Sequence, residues 1–332
     1  MEGKNKKLTW QLPFLVLLII GTYIIIRSQN TTPYQHNQGY IFGTIYNITY
    51  QSSKDLNEEI VAAMNEVDAS LSPFNDSSVI TKVNNNEDVK INEMMREVFE
   101  KAMMISKATD GAFDITVAPL VNAWGFGFKS GNGLTKEQID SVKEFVGYKK
   151  VSLRNNRIVK ADPRLMLDCS AIAKGYGTDV VANLLTKKGI SNFMVEIGGE
   201  VVTRGRNPEK QPWRVGVTKP TDDSLSVNTE LQTVLDLTNQ SLATSGNYRN
   251  FYYKDGKKYA HTIDPITGCP VQHSLLSATV LAPTCAEADA YATSFMVMGL
   301  DKTKAFLKKN RRLKAYLIYT DKMGNYQVWQ NL

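Results

Sequence analysis

From Leu8 to Ile26 the chain is apolar except at Thr9, Gln11 and Thr22, close to the roughly 20 residues a helix needs to cross a bilayer. Residues 27–39 are polar, contain Pro33 and read as a linker. The pattern turns globular at Tyr40 and stays so over 40–332, with no internal repeat. Ile41–Tyr50 alternates and carries β-branched residues, which predicts a strand. Leu56–Leu71 and Glu93–Thr109 have helical spacing, and Gly111 stands where a helix stop belongs. Val151–Lys160 reads as a hairpin turning at Asn155-Asn156. A helix is expected over Lys174–Lys188, ending at Gly189. Strands are expected at Phe193–Gly205, Trp213–Thr218 and Leu231–Leu237. Leu276–Ala282 reads as a strand leading into a helix at Ala286–Met298. Another helix at Lys302–Asn310 and a hairpin of Lys314–Thr320 with Tyr326–Gln330 close the chain. Strands and helices mix without a βαβ rhythm, so the fold class is α+β rather than a doubly wound sheet.

At 332 residues, 42% hydrophobic and 22% charged, the chain has ample material for a core. Its formal charge of +6 comes partly from Lys4, Lys6 and Lys7 and from the Lys302–Lys314 stretch. No stripe interleaves basic and aromatic residues as a nucleic-acid channel would. The three early lysines, against the single Arg27 after the apolar run, place residues 1–7 in the cytoplasm and the remainder outside. A cleaved signal peptide is the competing reading, but it needs small residues where Ile24, Ile25, Ile26 and Arg27 stand. The three cysteines, Cys169, Cys269 and Cys285, form no disulfide framework and show no zinc spacing with His36, His261 or His273.

Four stretches carry candidate chemistry. In Asp168–Gly177 a strand ends in a carboxylate and a short loop opens a helix at Lys174-Gly175, which suits a phosphate group; a plain strand-to-helix turn is the alternative. Gly198-Gly199, between Glu196 and Glu200, marks either a bulge or a ligand wall. The Leu242–Gln272 region holds Thr244-Ser245-Gly246-Asn247-Tyr248 and then His261, Asp264-Pro265 and Thr267-Gly268. A histidine and an aspartate three apart can share a proton-transfer role, or the histidine can simply bond the turn. In Thr284–Thr293, Thr284 and Glu287 match a capping box. Asp289, in a helix predicted to be buried, has no such explanation, and a lone buried carboxylate costs of order several kcal/mol. With the Thr293 hydroxyl one turn away it suits an oxygen-seeking cation such as Mg²⁺.

In this order, Gly111-Ala112-Phe113-Asp114, Asp168…Ala171…Lys174-Gly175, Gly198-Gly199, Thr244–Tyr248, His261…Asp264-Pro265…Thr267-Gly268 and Ala288-Asp289-Ala290…Thr293 resemble the ApbE family of FAD:protein FMN transferases. The resemblance runs from about Gly39 to the C-terminus. It implies an α+β, T-fold-like domain of mixed sheets with flanking helices, which the apolar run over Leu8–Ile26 precedes as one N-terminal transmembrane helix. It also implies roles for matching positions. Ala112, Phe113 and Asp114 would form part of the FAD wall, Asp168 and Lys174 would contact FAD, and Ile263 would touch the cofactor through its main chain. Phe42 stands where the family often has methionine beside the flavin, and Phe74 where it often has another aromatic. The metal, Mg²⁺, would meet the Ala171 carbonyl, Asp289 and Thr293, and His261 would assist proton transfer. Glu200 departs from the more usual aspartate or asparagine.

The implied reaction moves FMN from its substrate FAD onto a Thr or Ser hydroxyl of an exported acceptor, releasing AMP. The implied acceptors are flavin-carrying subunits of membrane electron-transfer complexes. The expected location is the inner (plasma) membrane, single-pass, with the catalytic domain on the extracytoplasmic side. Two rivals share the pattern: an FAD pyrophosphatase that releases free FMN, and a non-catalytic flavin-binding protein.

Overall fold

The computed structural model describes residues 11–22, 32–126, 134–221, 230–248, 251–254 and 257–332. The part of the N-terminal apolar run within these residues, 11–22, is a helix (α1). Leu12, Phe14, Leu15, Leu17 and Ile19 on it are each more than half exposed, so α1 packs its apolar side chains on nothing in the domain. No helix among the described residues is long and apolar enough to cross a membrane, and the remainder of Leu8–Ile26 lies outside them.

The domain begins earlier than Tyr40. Tyr34–Ile41 (β1) pairs along its whole length with Thr44–Gln51 (β2), so much of the expected linker is an edge strand. The single strand expected at Ile41–Tyr50 is interrupted by a two-residue turn at Phe42-Gly43. Both residues have positive φ, 52° and 73°, as a tight hairpin requires. Gly198-Gly199 behaves likewise. Instead of a bulge within one strand, the pair turns the chain between Phe193–Ile197 (β5) and Glu200–Arg204 (β6). The Val151–Arg154 (β3) and Arg157–Lys160 (β4) hairpin turns at Asn155-Asn156 as expected, with φ of 49° and 58°.

The remaining strands are Trp213–Thr218 (β7), Leu231–Leu237 (β8), Ser241–Gly246 (β9), Phe251–Lys254 (β10), Lys257–Ala260 (β11), Leu275–Ala282 (β12), Lys314–Thr320 (β13) and Tyr326–Gln330 (β14). Eight strands form one sheet in the order β1-β2-β5-β6-β9-β12-β13-β14. Every pairing among the described strands is antiparallel, so the expected mixed sheets are not present. The physical reason lies in the connections. Each excursion between neighbouring strands leaves and re-enters at the same end of the sheet, which parallel pairing forbids.

The helices are Asn57–Leu71 (α2), Val79–Asn84 (α3), Glu93–Ala108 (α4), Ala118–Ala123 (α5), Lys136–Lys143 (α6), Ala173–Lys187 (α7) and Cys285–Lys309 (α8). The short α3, α5 and α6 carry too few turns to show a helical period. The two helices expected at 286–298 and 302–310 join in α8 across a break at Gly299, where φ is 75°. The helices α7 and α8 pack on one another and on one face of the sheet. The β7–β8 pair covers part of the other, with Leu237 and Val215 against Val201, Leu242 and Leu281. Strand β12 therefore has apolar neighbours on both faces, which explains its nearly continuous burial.

Candidate functional site

The site lies where loops at one end of the sheet meet the start of α7 and the first turns of α8. Each segment is held there by local chemistry. On α3, the Asn84 side chain accepts the Leu167 N–H at 2.7 Å and donates to the Leu167 carbonyl at 2.9 Å, fixing the strand-like segment before Asp168. The Asp168 N–H donates to the Ile115 carbonyl at 2.7 Å, and its carboxylate accepts the Ser170 N–H at 2.7 Å. The chain then enters α7 with Lys174 in its first turn. Helix α8 is pinned to α7 by Asp179, whose carboxylate accepts the N–H groups of Cys285 and Ala286 at 2.8 and 2.9 Å. The two helices cross at Gly175. A Cβ there would stand 2.4 Å from the Cys285 carbonyl oxygen.

A cavity of about 490 Å³ results. It is lined by Asp168, Ala171 and Lys174, by Asp289 and Thr293, and by His261 and Ile263. Phe74, Ala112, Phe113 and Asp114 complete the set of sequence-predicted residues that it gathers. Phe42 is not among the lining residues. Its ring leans on α7 at Gly177, where a Cβ would come within 2.6 Å of it. This residue of the β1–β2 turn thus packs the turn against α7.

Three further expectations change with the geometry. The two carboxylate oxygens of Asp114 are occupied by the Thr116 N–H and hydroxyl and by the Tyr148 N–H, at 2.7–2.8 Å. It therefore pins the loop as well as lining the cavity, and burial raises its pKa despite these donors. Asp264 has a structural task in its own turn. Its carboxylate accepts the Ile266 N–H at 2.8 Å and the Thr267 hydroxyl at 3.0 Å, building the turn. Glu287 completes no capping box. Thr284 Oγ1 does accept its N–H, but the Glu287 carboxylate pairs with Lys101 and Arg312 at 3.3 and 3.2 Å.

Electrostatically the centre of the cavity is two buried carboxylates around a half-buried lysine. Lys174 pairs with Glu200, which is 2% exposed, and Asp289, 3% exposed, accepts the Gly175 N–H at 3.0 Å. Burial pushes the Glu200 carboxyl up to about 7, with Lys174 pulling it down and Asp289 adding to the rise. Burial also raises Asp289, against the pull of Lys174 and the Gly175 N–H. For Lys174 burial opposes the charge, but the facing carboxylates outweigh it and hold the ammonium above its ordinary value. Glu200 was legible as the residue after the two glycines; its contact with Lys174, 26 residues away, was not.

Among the described residues, no three His, Cys, Asp or Glu side chains cluster to hold a metal. The donors on offer are instead hard oxygens: the Asp289 carboxylate, the Thr293 hydroxyl and a backbone carbonyl at Ala171, all on one cavity. Oε2 of Glu200 is buried without a hydrogen-bond partner beside them. That set fits an oxygen-seeking divalent cation and excludes none of the expected ligands. Cys169 is wholly buried, and burial with the adjacent Asp168 raises its pKa, so it is no nucleophile.

A sequence profile of the ApbE family matches residues 42–317. The FAD:protein FMN transferase of Haemophilus influenzae is 37% identical over 300 residues, covering 85% of this chain and 86% of its own. That of Escherichia coli K12 is 37% identical over 297 residues, covering 87% and 83%. The solved structure of the flavin transferase ApbE from Vibrio cholerae superposes with a TM-score of 0.81 at 34% identity, covering 90% of this chain and 97% of that one. Matched by the family profile over most of its length and by these relatives, the chain belongs to the ApbE family.

Proposed function

We propose that this protein transfers FMN from FAD to a Thr or Ser hydroxyl of an exported acceptor protein. The observation that carries the reading is the convergence of Lys174, Asp289, Thr293 and His261 on a single cavity. The relatives named FAD:protein FMN transferase support the reaction class. In the transfer, the acceptor oxygen attacks the FMN-side phosphorus of the FAD diphosphate. The bridging P–O bond breaks, and AMP leaves with its electron pair. His261 takes the proton from the attacking hydroxyl. Lys174, kept charged and in place by Glu200, holds the diphosphate at the start of α7. Asp289, Thr293 and the Ala171 carbonyl would hold Mg²⁺, which when bound neutralises charge on the phosphate oxygens.

The apolar segment over Leu8–Ile26 anchors the chain to the inner (plasma) membrane with the catalytic domain outside. The exposed apolar side chains of α1 support this, because they have no place on the domain. Flavin-carrying subunits of membrane electron-transfer complexes are then acceptors within reach.

The test is to incubate the full-length protein with FAD, Mg²⁺ and a candidate acceptor, and to weigh the acceptor. The expected result is an FMN-sized gain that disappears with a chelator and in Asp289→Ala. Free FMN and AMP with no mass gain on any acceptor would establish a hydrolase instead. Full transfer by Asp289→Ala in chelator would remove the metal assignment.

A further inference from the structure

The segment Thr244–Tyr248 has no part in the chemistry above, yet two of its residues touch neighbours of the reacting groups. It forms the end of β9, paired with β12 so that Thr244 faces Thr279 and Ser245 lies opposite Ala278. Thr244 Oγ1 and Thr279 Oγ1 share a hydrogen bond of 2.8 Å, which fixes this end of the strand. Ser245 then projects to the opposite face, as strand geometry requires, and its Oγ lies 3.1 Å from Thr293 Oγ1 on α8. After Gly246, the Asn247 N–H donates to the Leu276 carbonyl at 3.1 Å. Its side-chain oxygen accepts the Thr262 hydroxyl at 2.6 Å. Asn247 and Thr262 are both buried, and Thr262 adjoins His261.

Gly246 makes the arrangement possible. A Cβ there would stand 2.3 Å from the Tyr248 ring, which folds back over it and lines the cavity.

A threonine hydroxyl that binds a cation uses an oxygen lone pair, so its proton must point to another acceptor. Ser245 Oγ is an acceptor within reach. A partner that fixes a ligand's proton commonly changes metal affinity by about ten- to a hundredfold. On the other wall, a buried bond from Asn247 to the residue beside His261 limits how that loop can move.

We infer that the end of β9 is a shared brace: Ser245 is a positioning residue for the Thr293 hydroxyl, and Asn247 is one for the His261 loop. The inference rests on the metal and proton-transfer roles proposed above.

The experiment measures Mn²⁺ binding to the full-length protein in saturating FAD without acceptor, by electron paramagnetic resonance. An FAD-only blank is subtracted, and steady-state kinetics are run in parallel. Ser245→Ala should weaken Mn²⁺ binding by about tenfold or more, and Ser245→Thr, which keeps an oxygen at Oγ, should restore most of it. Asn247→Leu should lower kcat while leaving Mn²⁺ affinity unchanged. Wild-type Mn²⁺ affinity in Ser245→Ala, or failure of Ser245→Thr to rescue, would overturn the brace while leaving the metal reading intact. A rise in KM for FAD with unchanged Mn²⁺ affinity would make Ser245 a substrate contact instead. A wild type that binds no Mn²⁺ above the blank would overturn both.

Discussion

Gly175 is where the fold and the cavity depend on the same few cubic ångströms, and Gly175→Ala makes that dependence measurable. The new methyl would stand 2.4 Å from the Cys285 carbonyl oxygen, 2.7 Å from its carbon and 2.8 Å from Asp289 Cβ. Ordinary contact begins near 3.4 Å, so α7 and α8 must part by about 1 Å at their crossing. Two of the three atoms are backbone and cannot rotate away. Overpacking of this kind costs about 1–3 kcal/mol, occasionally more. Alanine returns about 1 kcal/mol through its better helix propensity. The net is a loss of about 0–2 kcal/mol, small enough for the chain to stay folded.

Activity should suffer more than stability. The third atom belongs to Asp289, and the Gly175 N–H is the donor that holds its carboxylate. A misplacement of about 1 Å in such a group commonly costs on the order of a hundredfold in rate. Urea unfolding and FMN transfer, both measured on the full-length protein in detergent, would report the two effects separately. Equal or greater stability together with wild-type transfer would refute the contact and the role given to it.

His261→Ala should slow transfer by about a hundredfold or more while leaving FAD affinity nearly unchanged. Equal losses in both, read by single-turnover mass gain and by flavin fluorescence titration, would make His261 a cofactor-holding residue. Asp179 sets a pH dependence of stability. Burial lifts its carboxyl to about 6, even though it accepts two N–H bonds from the start of α8. Between about pH 4 and 6 the folded chain keeps a proton that the unfolded chain has released. Its contribution is therefore full below about pH 4 and is lost as pH rises through 6. Asp179→Asn should flatten that fall in urea midpoints, and an unchanged slope would refute the assignment.

Local sequence settled whatever a few consecutive residues decide. The Asn155-Asn156 turn, the stop of α7 at Gly189 and the helical stripe of α4 follow from backbone preferences and spacing within one or two turns. The candidate list was also legible, because Asp289 in an apolar helix and Lys174 at a helix start are anomalous against their immediate neighbours. What needed the tertiary structure was every assignment that depends on a distant partner. Phe193–Gly205 read as one strand, because only β2 and β9 as sheet neighbours reveal that the two glycines reverse the chain. Asp264 and Asp289 are both acids beside small or turn residues. One builds its own turn and the other faces Lys174 across a helix crossing. Asp179 looks like an ordinary helix-surface acid until α8 arrives, 106 residues later, with its N–H groups unpaired. A carboxylate is committed by the donors around it, and those donors are brought together by packing between segments remote in the chain.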